Sequence, residues 1–386
     1  MGYGFSGRRR PASRRGLAAA LVGVVLAGDV LTPSYRSAVL PPYRHTATPA
    51  HRQDLPLRIA FVGDINFARS LARDYIFAGR GGEIFGAIAE RLRGYDLTIG
   101  NLESIILERG SYSDPTGVLR FAGPVQSLPL LLEAGFDGVG TANNHAWDFG
   151  WAGLMESLGH LNQQGIPNAG TGPTLADAWR PLVYRVNGWT IAVFSLTAII
   201  NWPGLGIEGS PAACCVAWAD TALAARWFRL ARDSIGAQRV YAFVHAGPVE
   251  YQAVPHPRVV ALFRGLINAG ADAVIGHHPH VPQGMEMWRG RPIAYSLGNF
   301  VFRQYRPWTD RGLLAELIVR EGHPDSIRLV PLAVGYTARV LEGADSARVM
   351  AHVDSISRLI GLPNGRARRN VARPAGPAQT RRTPRE

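Results

Sequence analysis

Short apolar runs in this chain end, one after another, in polar residues that can bind a metal ion. The most informative run is Ala273-Val274-Ile275, which leads directly into Gly276-His277-His278-Pro279-His280. Packing alone does not explain three imidazoles within four positions at the end of a strand-like run, because histidine is the commonest metal ligand. Four other apolar runs end in the same way: residues 57–62 before Asp64, 97–99 before Asn101 and Glu103, 139–141 before Asn143, Asn144 and His145, and 240–244 before His245.

Stretches with the apolar spacing of a helix separate these runs. They cover residues 84–92, 128–134, 154–164, 219–232 and 259–269, and glycine follows several of them as a stop signal. Strands that alternate with helices predict an α/β sheet. Ligands of such sheets collect at the carboxyl ends of the strands. We therefore expect the polar residues that follow the apolar runs to meet at one edge of the fold.

The predicted site mixes carboxylate, amide and imidazole ligands. Hard oxygen combined with imidazole nitrogen suits Zn, Mn or Fe(II), and no thiolate favours a closed structural zinc site. We expect one or two divalent transition-metal ions. Two ions about 3.5–4 Å apart can clamp a phosphate and lower the pKa of a bridging water, which then attacks as hydroxide. A nearby histidine can donate a proton to the leaving oxygen.

The basic residues of the chain are concentrated at its two ends. The formal net charge is +12, which on its own favours a nucleic-acid or membrane-surface protein. Residues 1–50 and residues 366–386 each contain seven arginines against one acidic residue, so each end carries a charge of +6. The stretch between them is neutral, and we expect no nucleic acid as a partner of the folded body.

The N-terminal residues 1–28 have the pattern of a secretory signal. Two arginine clusters, 8–10 and 14–15, precede a twelve-residue apolar run, 17–28. That run is shorter than the roughly 20 residues that a membrane-spanning helix needs, and 25–27 fits a small-residue cleavage site. Residues 13–17 resemble a twin-arginine signal. The alternative is an uncleaved segment that acts as a weak anchor, and both interpretations predict an exported, extracytoplasmic protein.

Composition divides the rest of the chain into three parts. Residues 29–56 contain scattered proline, threonine and serine, as linkers do. We expect one folded domain over 57–362. Residues 363–386 are rich in arginine, proline and glycine and are predicted to be a disordered tail.

The chain has two cysteines, and they are adjacent, at 214 and 215. Neighbouring cysteines rarely pair, because the bond strains the intervening peptide. We therefore expect no structural disulfide framework, and the alternative is a vicinal metal or redox site.

In this order the motifs resemble the CapA family, the capsule and poly-γ-glutamate synthesis proteins. That family is in turn similar to the calcineurin-like metallophosphoesterases. The resemblance covers residues 58–302 and implies a four-layer α/β/β/α sandwich, with two sheets packed face to face and helices outside. It is carried by Val62-Gly63-Asp64, Gly100-Asn101-Leu102-Glu103, Ala142-Asn143-Asn144-His145-Ala146-Trp147-Asp148-Phe149-Gly150, His245-Ala246-Gly247-Pro248-Val249-Glu250-Tyr251, Gly276-His277-His278-Pro279-His280 and Ser296-Leu297-Gly298-Asn299-Phe300.

The resemblance also implies six metal ligands and one catalytic residue. Glu103 would bridge two ions, and His145 would donate a proton or stabilise the transition state. The remaining ligands divide between the two ions: Asp64 and His280 for the first, and Asn144, His245 and His278 for the second. A further set would contact substrate or orient the ligands: Asn66, Asn101, Asn143, Asp148, Glu250, Tyr251 and His277.

Two positions depart from the superfamily pattern. Its first motif is Asp-x-His, whereas this chain has Asp64-Ile65-Asn66, and Glu103 stands where the superfamily has a shorter Asp. Structural roles compete with several assignments. Asp64 could cap a helix, Asn143 and Asn144 could serve a tight turn, and His245 could be a core histidine.

Three functional hypotheses follow from the sequence. The first is a metal-dependent hydrolase that acts on phosphoester or related bonds in cell-surface polymer metabolism, and the intact His145 favours it. The second is a non-catalytic accessory component that binds an anionic surface polymer in the same cleft, within a membrane-bound synthesis complex, and Asn66 favours it. The third is nucleic-acid binding through the tails, which the neutral body disfavours.

Overall fold

The computed structural model describes residues 56–108, 110, 120–201 and 211–360. The predicted signal segment 1–28, the tail 363–386 and all but the last residue of the linker 29–56 lie outside these ranges.

Strands and helices alternate along the described chain. The strands are β1 (Leu57–Ile65), β2 (Leu97–Leu102), β3 (Ile105–Leu107), β4 (Ala122–Pro124), β5 (Gly138–Gly140), β6 (Asn168–Ala169), β7 (Leu182–Val186), β8 (Trp189–Thr197), β9 (Arg239–His245), β10 (Ala273–His277), β11 (Met285–Trp288), β12 (Arg291–Ala294), β13 (Asn299–Val301), β14 (Arg311–Val319), β15 (Ser326–Ala333) and β16 (Arg339–Val340). The α-helices are α1 (Arg69–Leu71), α2 (Glu83–Gly86), α3 (Ala89–Arg93), α4 (Leu128–Ala134), α5 (Gly150–Gln163), α6 (Leu175–Ala178), α7 (Thr221–Leu230), α8 (Pro257–Asn268) and α9 (Gly343–Ser357).

These strands form two large mixed sheets and one small one. The first sheet has the order β16-β15-β14-β1-β2-β5-β6, and β13 pairs with β1 beside this path. The second has the order β11-β12-β10-β9-β8-β7, and β3 pairs with β4. The central strands of each large sheet run parallel, whereas β14, β15, β7 and β11 are antiparallel additions.

The two large sheets pack face to face, with helices on the outside. In β1, Phe61 points to the second sheet, where its ring lies 5.5 Å from the ring of Phe243 and 6.2 Å from that of Tyr241. Its neighbours Ala60 and Val62 point the other way, into a core with α2, α3 and α4. Successive side chains of a strand alternate between the two faces of its sheet. Each large sheet therefore buries both of its faces, one against the other sheet and one against helices. The predicted four-layer α/β/β/α sandwich is confirmed.

The outer helices of the second sheet are α7 and α8. Phe228 of α7 and Phe263 of α8 join a core with Ala242 and Val244 of β9. Two caps fix where these helices begin. The Asp220 carboxylate accepts hydrogen bonds from the backbone N–H groups of residues 222 and 223, and the His256 ring accepts one from that of residue 258.

Some predicted elements differ from the observed ones. The stretch 84–92 is two short helices, α2 and α3, because Ile88 between them has a non-helical backbone (φ −124°, ψ −12°). The helix predicted over 219–232 changes to a π-helical turn at Ala231–Ile235. The sequence motifs did not predict the long antiparallel pair β14–β15 or the last helix, α9.

Cys214 and Cys215 form a vicinal disulfide, although neighbouring cysteines rarely pair. It follows a short 3₁₀ turn, Pro211–Cys214, where the chain already doubles back tightly. Cys215 is buried under the 142–147 loop. A bond between adjacent residues closes almost no chain, so it restricts the unfolded state little. It does not form a structural framework.

Among the residues that the structure describes, no helix combines the length and the apolar character that a bilayer crossing requires.

Gly63 marks the closest approach of β1 to the chain before β13. A Cβ atom at this position would overlap the Gly298 carbonyl oxygen, which accepts a hydrogen bond from the Asp64 N–H at 3.0 Å. We expect Gly63→Ala to lower the free energy of unfolding by about 1–3 kcal/mol, because backbone must move to admit the methyl group. Urea unfolding measures this loss.

Gly159→Ala is the matched control for that substitution. Gly159 lies inside α5, and nothing approaches its Cβ direction within 4 Å. Alanine there should raise stability by about 0.5–1 kcal/mol through helix propensity. Equal urea midpoints for wild type and Gly63→Ala would contradict the assignment of close approach.

Candidate metal centre

The carboxyl ends of strands from both sheets meet at one edge of the sandwich. Asp64 lies in β1 and Glu103 follows β2 directly, both in the first sheet. His245 ends β9 in the second sheet, and His278 and His280 occupy the loop after β10. All five side chains are at most 2% exposed. The two sheets must pack together before these residues can meet.

Glu103 belongs to two groups of side chains that could each hold a metal ion. Asp64, Glu103 and His280 form the first group, and Glu103, His245 and His278 form the second, with the ligand atoms of each group within 4.8 Å of one another. In the first group, Asp64 Oδ2 lies 3.2 Å from His280 Nδ1. In the second, His245 Nε2 lies 3.5 Å from Glu103 Oε1 and 3.1 Å from His278 Nδ1. Ligand atoms about 2.0–2.2 Å from one ion are separated by about 3.0–3.5 Å, so these spacings fit coordination.

Four buried acceptor oxygens at this edge have no hydrogen-bond partner among the described residues. They are both carboxylate oxygens of Glu103, Asp64 Oδ2 and Asn144 Oδ1. Buried polar atoms are nearly always satisfied, and a buried carboxylate without a partner costs several kcal/mol. Cations bound by the two groups would satisfy the carboxylate oxygens, and the donor set of carboxylate, amide and imidazole suits Zn, Mn or Fe.

The two carboxylates of the centre have opposite pKa shifts. Burial raises the pKa of Glu103 well above its ordinary value, and the charges of Asp64, Glu250 and Asp148 raise it further. Burial acts on the pKa of Asp64 in the same direction, but the nearby imidazoles of His277 and His280 outweigh it and keep that pKa well below its ordinary value. Burial therefore opposes the charged form of Glu103, which a nearby cation would stabilise.

The histidines of the second group are held in their neutral form. Burial lowers the pKa of His278 to about 3 and places the pKa of His245 well below its ordinary value, and the neighbouring imidazoles add to both shifts. Neutral imidazole is the form that binds metal, so protons do not compete for these ligands near pH 7.

The backbone at the histidine loop is strained. His278 has φ +100° and His280 has φ +58°, the left-handed region that favours glycine. Non-glycine residues in such conformations cluster at functional sites, where the surrounding structure imposes them.

Asn101, predicted to contact substrate or ligands, connects the two sheets. Its amide nitrogen lies 2.8 Å from Asp64 Oδ1 and 3.1 Å from His245 Nδ1. One side chain thus orients a candidate ligand from each sheet. Such contacts fix ligand geometry in metal sites.

His145 is held at the edge of the centre by a carboxylate and an aromatic ring. Its Nδ1 lies 2.6 Å from Asp148 Oδ2, and its ring lies 4.0 Å from the ring of Phe121. Asp148 also accepts a hydrogen bond from the Phe121 N–H at 2.8 Å. No hydrogen bond from a described residue reaches Nε2 of His145, so that nitrogen is available for proton transfer.

The asparagine pair before His145 does more than form a turn. Asn143 donates to the Leu102 carbonyl at 2.8 Å and accepts from the His145 N–H at 3.1 Å, which ties this loop to the residue before Glu103. Asn144 donates to Asn201 at 3.2 Å, and this contact orients its other amide atom, the unpartnered Oδ1.

Two asparagines of the site were absent from the sequence-based set. Asn201 contacts Asn144 and lies 3.2 Å from His145 Nδ1. Asn299 Oδ1 lies 3.0 Å from His280 Nδ1, a contact that helps to orient that ring. The strand-end rule is the expectation that polar residues directly after an apolar run meet at one edge of the fold. Asn299 closely follows the apolar run 293–296, so this rule, applied to every run, would have predicted it. Asn201 gives no such signal, because further apolar residues separate it from the run 191–196.

Asn66 is set apart from the metal ligands. Its side-chain oxygen accepts a hydrogen bond from the Ala68 N–H at 2.8 Å, and it belongs to neither group of candidate ligands. Its amide nitrogen is buried without a partner among the described residues. The local turn therefore uses the oxygen that could otherwise bind the first ion.

The remaining predicted residues surround the centre. His277 lies 3.3 Å from Asp64 Oδ1 through its Nδ1 and packs on Phe243. Tyr251 is partly exposed, and its ring lies 5.9 Å from that of His280. The charge of neighbouring Glu250 raises the pKa of Glu103, after the larger effects of burial and Asp64.

Comparisons with known proteins match the sequence of this chain to one family. The family described as Bacterial capsule synthesis protein PGA_cap matches residues 58–304. The PGA biosynthesis protein CapA of Bacillus subtilis is 30% identical over 280 residues, covering 72% of each chain. The capsule biosynthesis protein CapA of Bacillus anthracis is 27% identical over 305 residues, covering 78% of this chain and 73% of its own. A "probable polyglutamine synthesis accessory protein" of Mycobacterium tuberculosis is 27% identical over 294 residues, covering 73% of this chain and 74% of its own.

Among solved structures, a hypothetical protein from Thermus thermophilus matches with a TM-score of 0.45 and 20% identity. The match covers 71% of this chain and 98% of that one. The family assignment rests on the sequence match, which spans β1 to β13 and every candidate metal ligand. The chain belongs to the bacterial capsule synthesis protein family PGA_cap.

Proposed function

We propose that this protein is an extracytoplasmic, metal-dependent hydrolase in the synthesis of a capsule or poly-γ-glutamate type of surface polymer. The observation that carries the metal-dependent chemistry is the buried Glu103, which belongs to both groups of candidate ligands and whose two oxygens have no partner among the described residues. The role in surface-polymer synthesis is supported by the family and by the names of the relatives in Bacillus and Mycobacterium.

The proposed ligand set follows the geometry. Asp64, Glu103 and His280 would hold one ion, and Glu103, His245 and His278 would hold the other, with Asn144 Oδ1 directed by Asn201. Bound divalent ions would supply a water of lowered pKa and a clamp for the oxygens of the scissile group.

His145 would act as the proton donor to the leaving oxygen. Its Nδ1 is occupied by Asp148, so Asp148 fixes the ring orientation and leaves Nε2 to carry the transferred proton. Phe121 covers one face of the ring and restricts its rotation. A positioned acid of this kind accelerates a reaction by about 10²–10⁴-fold.

A second function is supported by one observation. The side-chain oxygen of Asn66 is bonded to the Ala68 N–H, at the position where the superfamily has a metal-binding histidine. The first ion then has three protein ligands from the described residues. That arrangement favours a non-catalytic accessory component, which would bind an anionic polymer in the same cleft within a membrane-bound synthesis complex.

We expect the purified full-length protein to bind one to two divalent transition-metal ions per chain. His278→Ala and His245→Ala should each remove at least one ion, because each eliminates a ligand of the second group. His160→Ala is the control, since this histidine lies on α5 between Glu108 and Glu156. Elemental analysis measures the metal, and equal metal in all four proteins would reject the site.

His145→Ala should retain the metal but lose hydrolysis by about 10²–10⁴-fold, because it removes the proton donor and no ligand. Asp148→Asn should lose about 10–100-fold, since it disturbs only the orientation of the ring. Initial rates on p-nitrophenyl phosphate and bis(p-nitrophenyl) phosphate with Mn, Zn or Fe provide the measurement. If the wild-type protein hydrolyses neither ester with any metal, the accessory function replaces the hydrolase.

Residues 1–56 should export a fused reporter that is active only outside the cytoplasm. The arginine clusters and the apolar run 17–28 motivate this expectation. Substitution of Arg14 and Arg15 by lysine should reduce reporter activity if export uses the twin-arginine route. An inactive, cytoplasmic fusion that accumulates normally would overturn the proposed location.

A further inference from the structure

We infer that one side of the metal centre is a binding site for an extended polycarboxylate chain, held at its ends by Arg69 and Arg306. This inference deepens the proposed function and rests on it, because it concerns the polymer that the same site would handle. It gives a role to Arg69 and Arg306, which take part neither in metal binding nor in proton transfer.

A continuous row of rings links the proton-donor candidate to the metal-ligand candidate; we call it the aromatic wall. The ring of His145 lies 4.0 Å from that of Phe121, and Phe121 meets Phe302 at 5.4 Å. Phe302 meets His280 at 4.9 Å, and His280 lies 5.9 Å from Tyr251. The two phenylalanines are buried, whereas Tyr251 at the end of the row is partly exposed.

Two exposed arginines stand over rings of the wall. The guanidinium of Arg69 lies 5.9 Å from the centre of the Phe121 ring, and that of Arg306 lies 5.9 Å from the centre of the Tyr251 ring. Cation–π contact at such distances orients the guanidinium without neutralising its charge. Each arginine therefore presents a full positive charge next to the centre.

Both arginines lack an acidic partner among the described residues. Elsewhere in the domain, arginines commonly form ion pairs with carboxylates, as Arg239 does with Asp325 at 2.9 Å and Arg264 does with Glu286 at 2.6 Å. Exposed arginines without a partner also occur on the outer surface, for example Arg226 on α7. What distinguishes Arg69 and Arg306 is their position on the aromatic wall.

The backbone conformation at both ends of the aromatic wall gives independent support for a binding surface. Arg69 has φ +59° and Tyr251 has φ +61°, in the same left-handed region as His278 and His280. These four account for more than half of the seven non-glycine residues with positive φ in the described ranges. Strain of this kind persists only where the surrounding structure imposes it, so the ends of the wall are held in place with the ligands.

The arrangement selects an extended anion. The rings of Phe302 and His280 lie between the phenyl ring under Arg69 and the phenol ring under Arg306, so the two guanidinium groups stand over different members of the row. A chain with regularly spaced carboxylates can place one carboxylate at each guanidinium, above the buried rings. Guanidinium groups form paired hydrogen bonds with carboxylates.

The test compares the affinity of the full-length, metal-loaded protein for a labelled linear poly-γ-glutamate oligomer, measured by fluorescence anisotropy. Arg69→Gln and Arg306→Gln should each weaken binding about threefold to fivefold, and the double variant about tenfold or more. Arg226→Gln is the control and should match wild type. The arginine-rich ends of the chain are identical in every variant, so differences between variants report on the wall.

A second measurement locates the oligomer directly. An oligomer with a photoreactive end group should crosslink to segments that include Arg69 or Arg306, and the double variant should lose those crosslinks. Crosslinks confined to the two arginine-rich ends would overturn the inference. Equal affinity of the double variant and Arg226→Gln would also overturn it.

Two further arms separate this inference from the proposed function. Metal content should be unchanged in both arginine variants, and His278→Ala, which tests the metal site, should still bind the oligomer through the arginines. Wild-type protein that binds metal but shows no salt-sensitive oligomer binding overturns the inference alone. Tighter, equally arginine-dependent binding of polyphosphate would overturn the carboxylate assignment.

Discussion

The desolvated carboxylate of Glu103 is the constraint on which the rest of this structure depends. It is fully buried, neither oxygen has a partner among the described residues, and Asp64 adds a second buried carboxylate nearby. Two such groups are costly to bury without compensation. The residues around them are arranged accordingly, with neutral histidines on one side and amides that orient the rings on the other. A bound cation would offset the cost of burying the two carboxylates.

The sandwich architecture is what brings these groups together. Asp64 and Glu103 belong to one sheet and His245 to the other, so the centre cannot form within a single sheet. Asn101 contacts a residue of each sheet, and the Phe61–Phe243 contact packs the sheets just beneath it. Fold and site are therefore coupled, because a shift between the sheets would separate the ligands.

The sequence predicted the central sheets and most of the site, because both follow from local patterns. A buried strand reads as an apolar run, and its carboxyl end is where a sheet presents ligands. The strand-end rule thus predicted that Asp64, Glu103, His245 and His278 meet at one edge, where the structure has them. It could not give Asn201, which contributes through a contact with Asn144 across 57 positions of the chain.

Other features depend on three-dimensional contacts that no local pattern encodes. The break between α2 and α3 arises at Ile88, a residue of ordinary helix propensity, and the disulfide at Cys214 depends on a tight turn. The pair β14–β15 extends the first sheet by long-range pairing of residues such as Leu314 and Val330. The row of rings at the centre joins side chains from separate segments and appears only once the chain has folded.

The left-handed backbone at His278 and His280 has a consequence for the thermal stability of the protein. Glycine would relax this loop, since it alone adopts positive φ without a steric cost. Imidazoles at these two positions therefore cost the folded chain some stability relative to glycine. A ligand that binds only the native form would return that stability by mass action, so the occupied protein should outlast the bare one under heat.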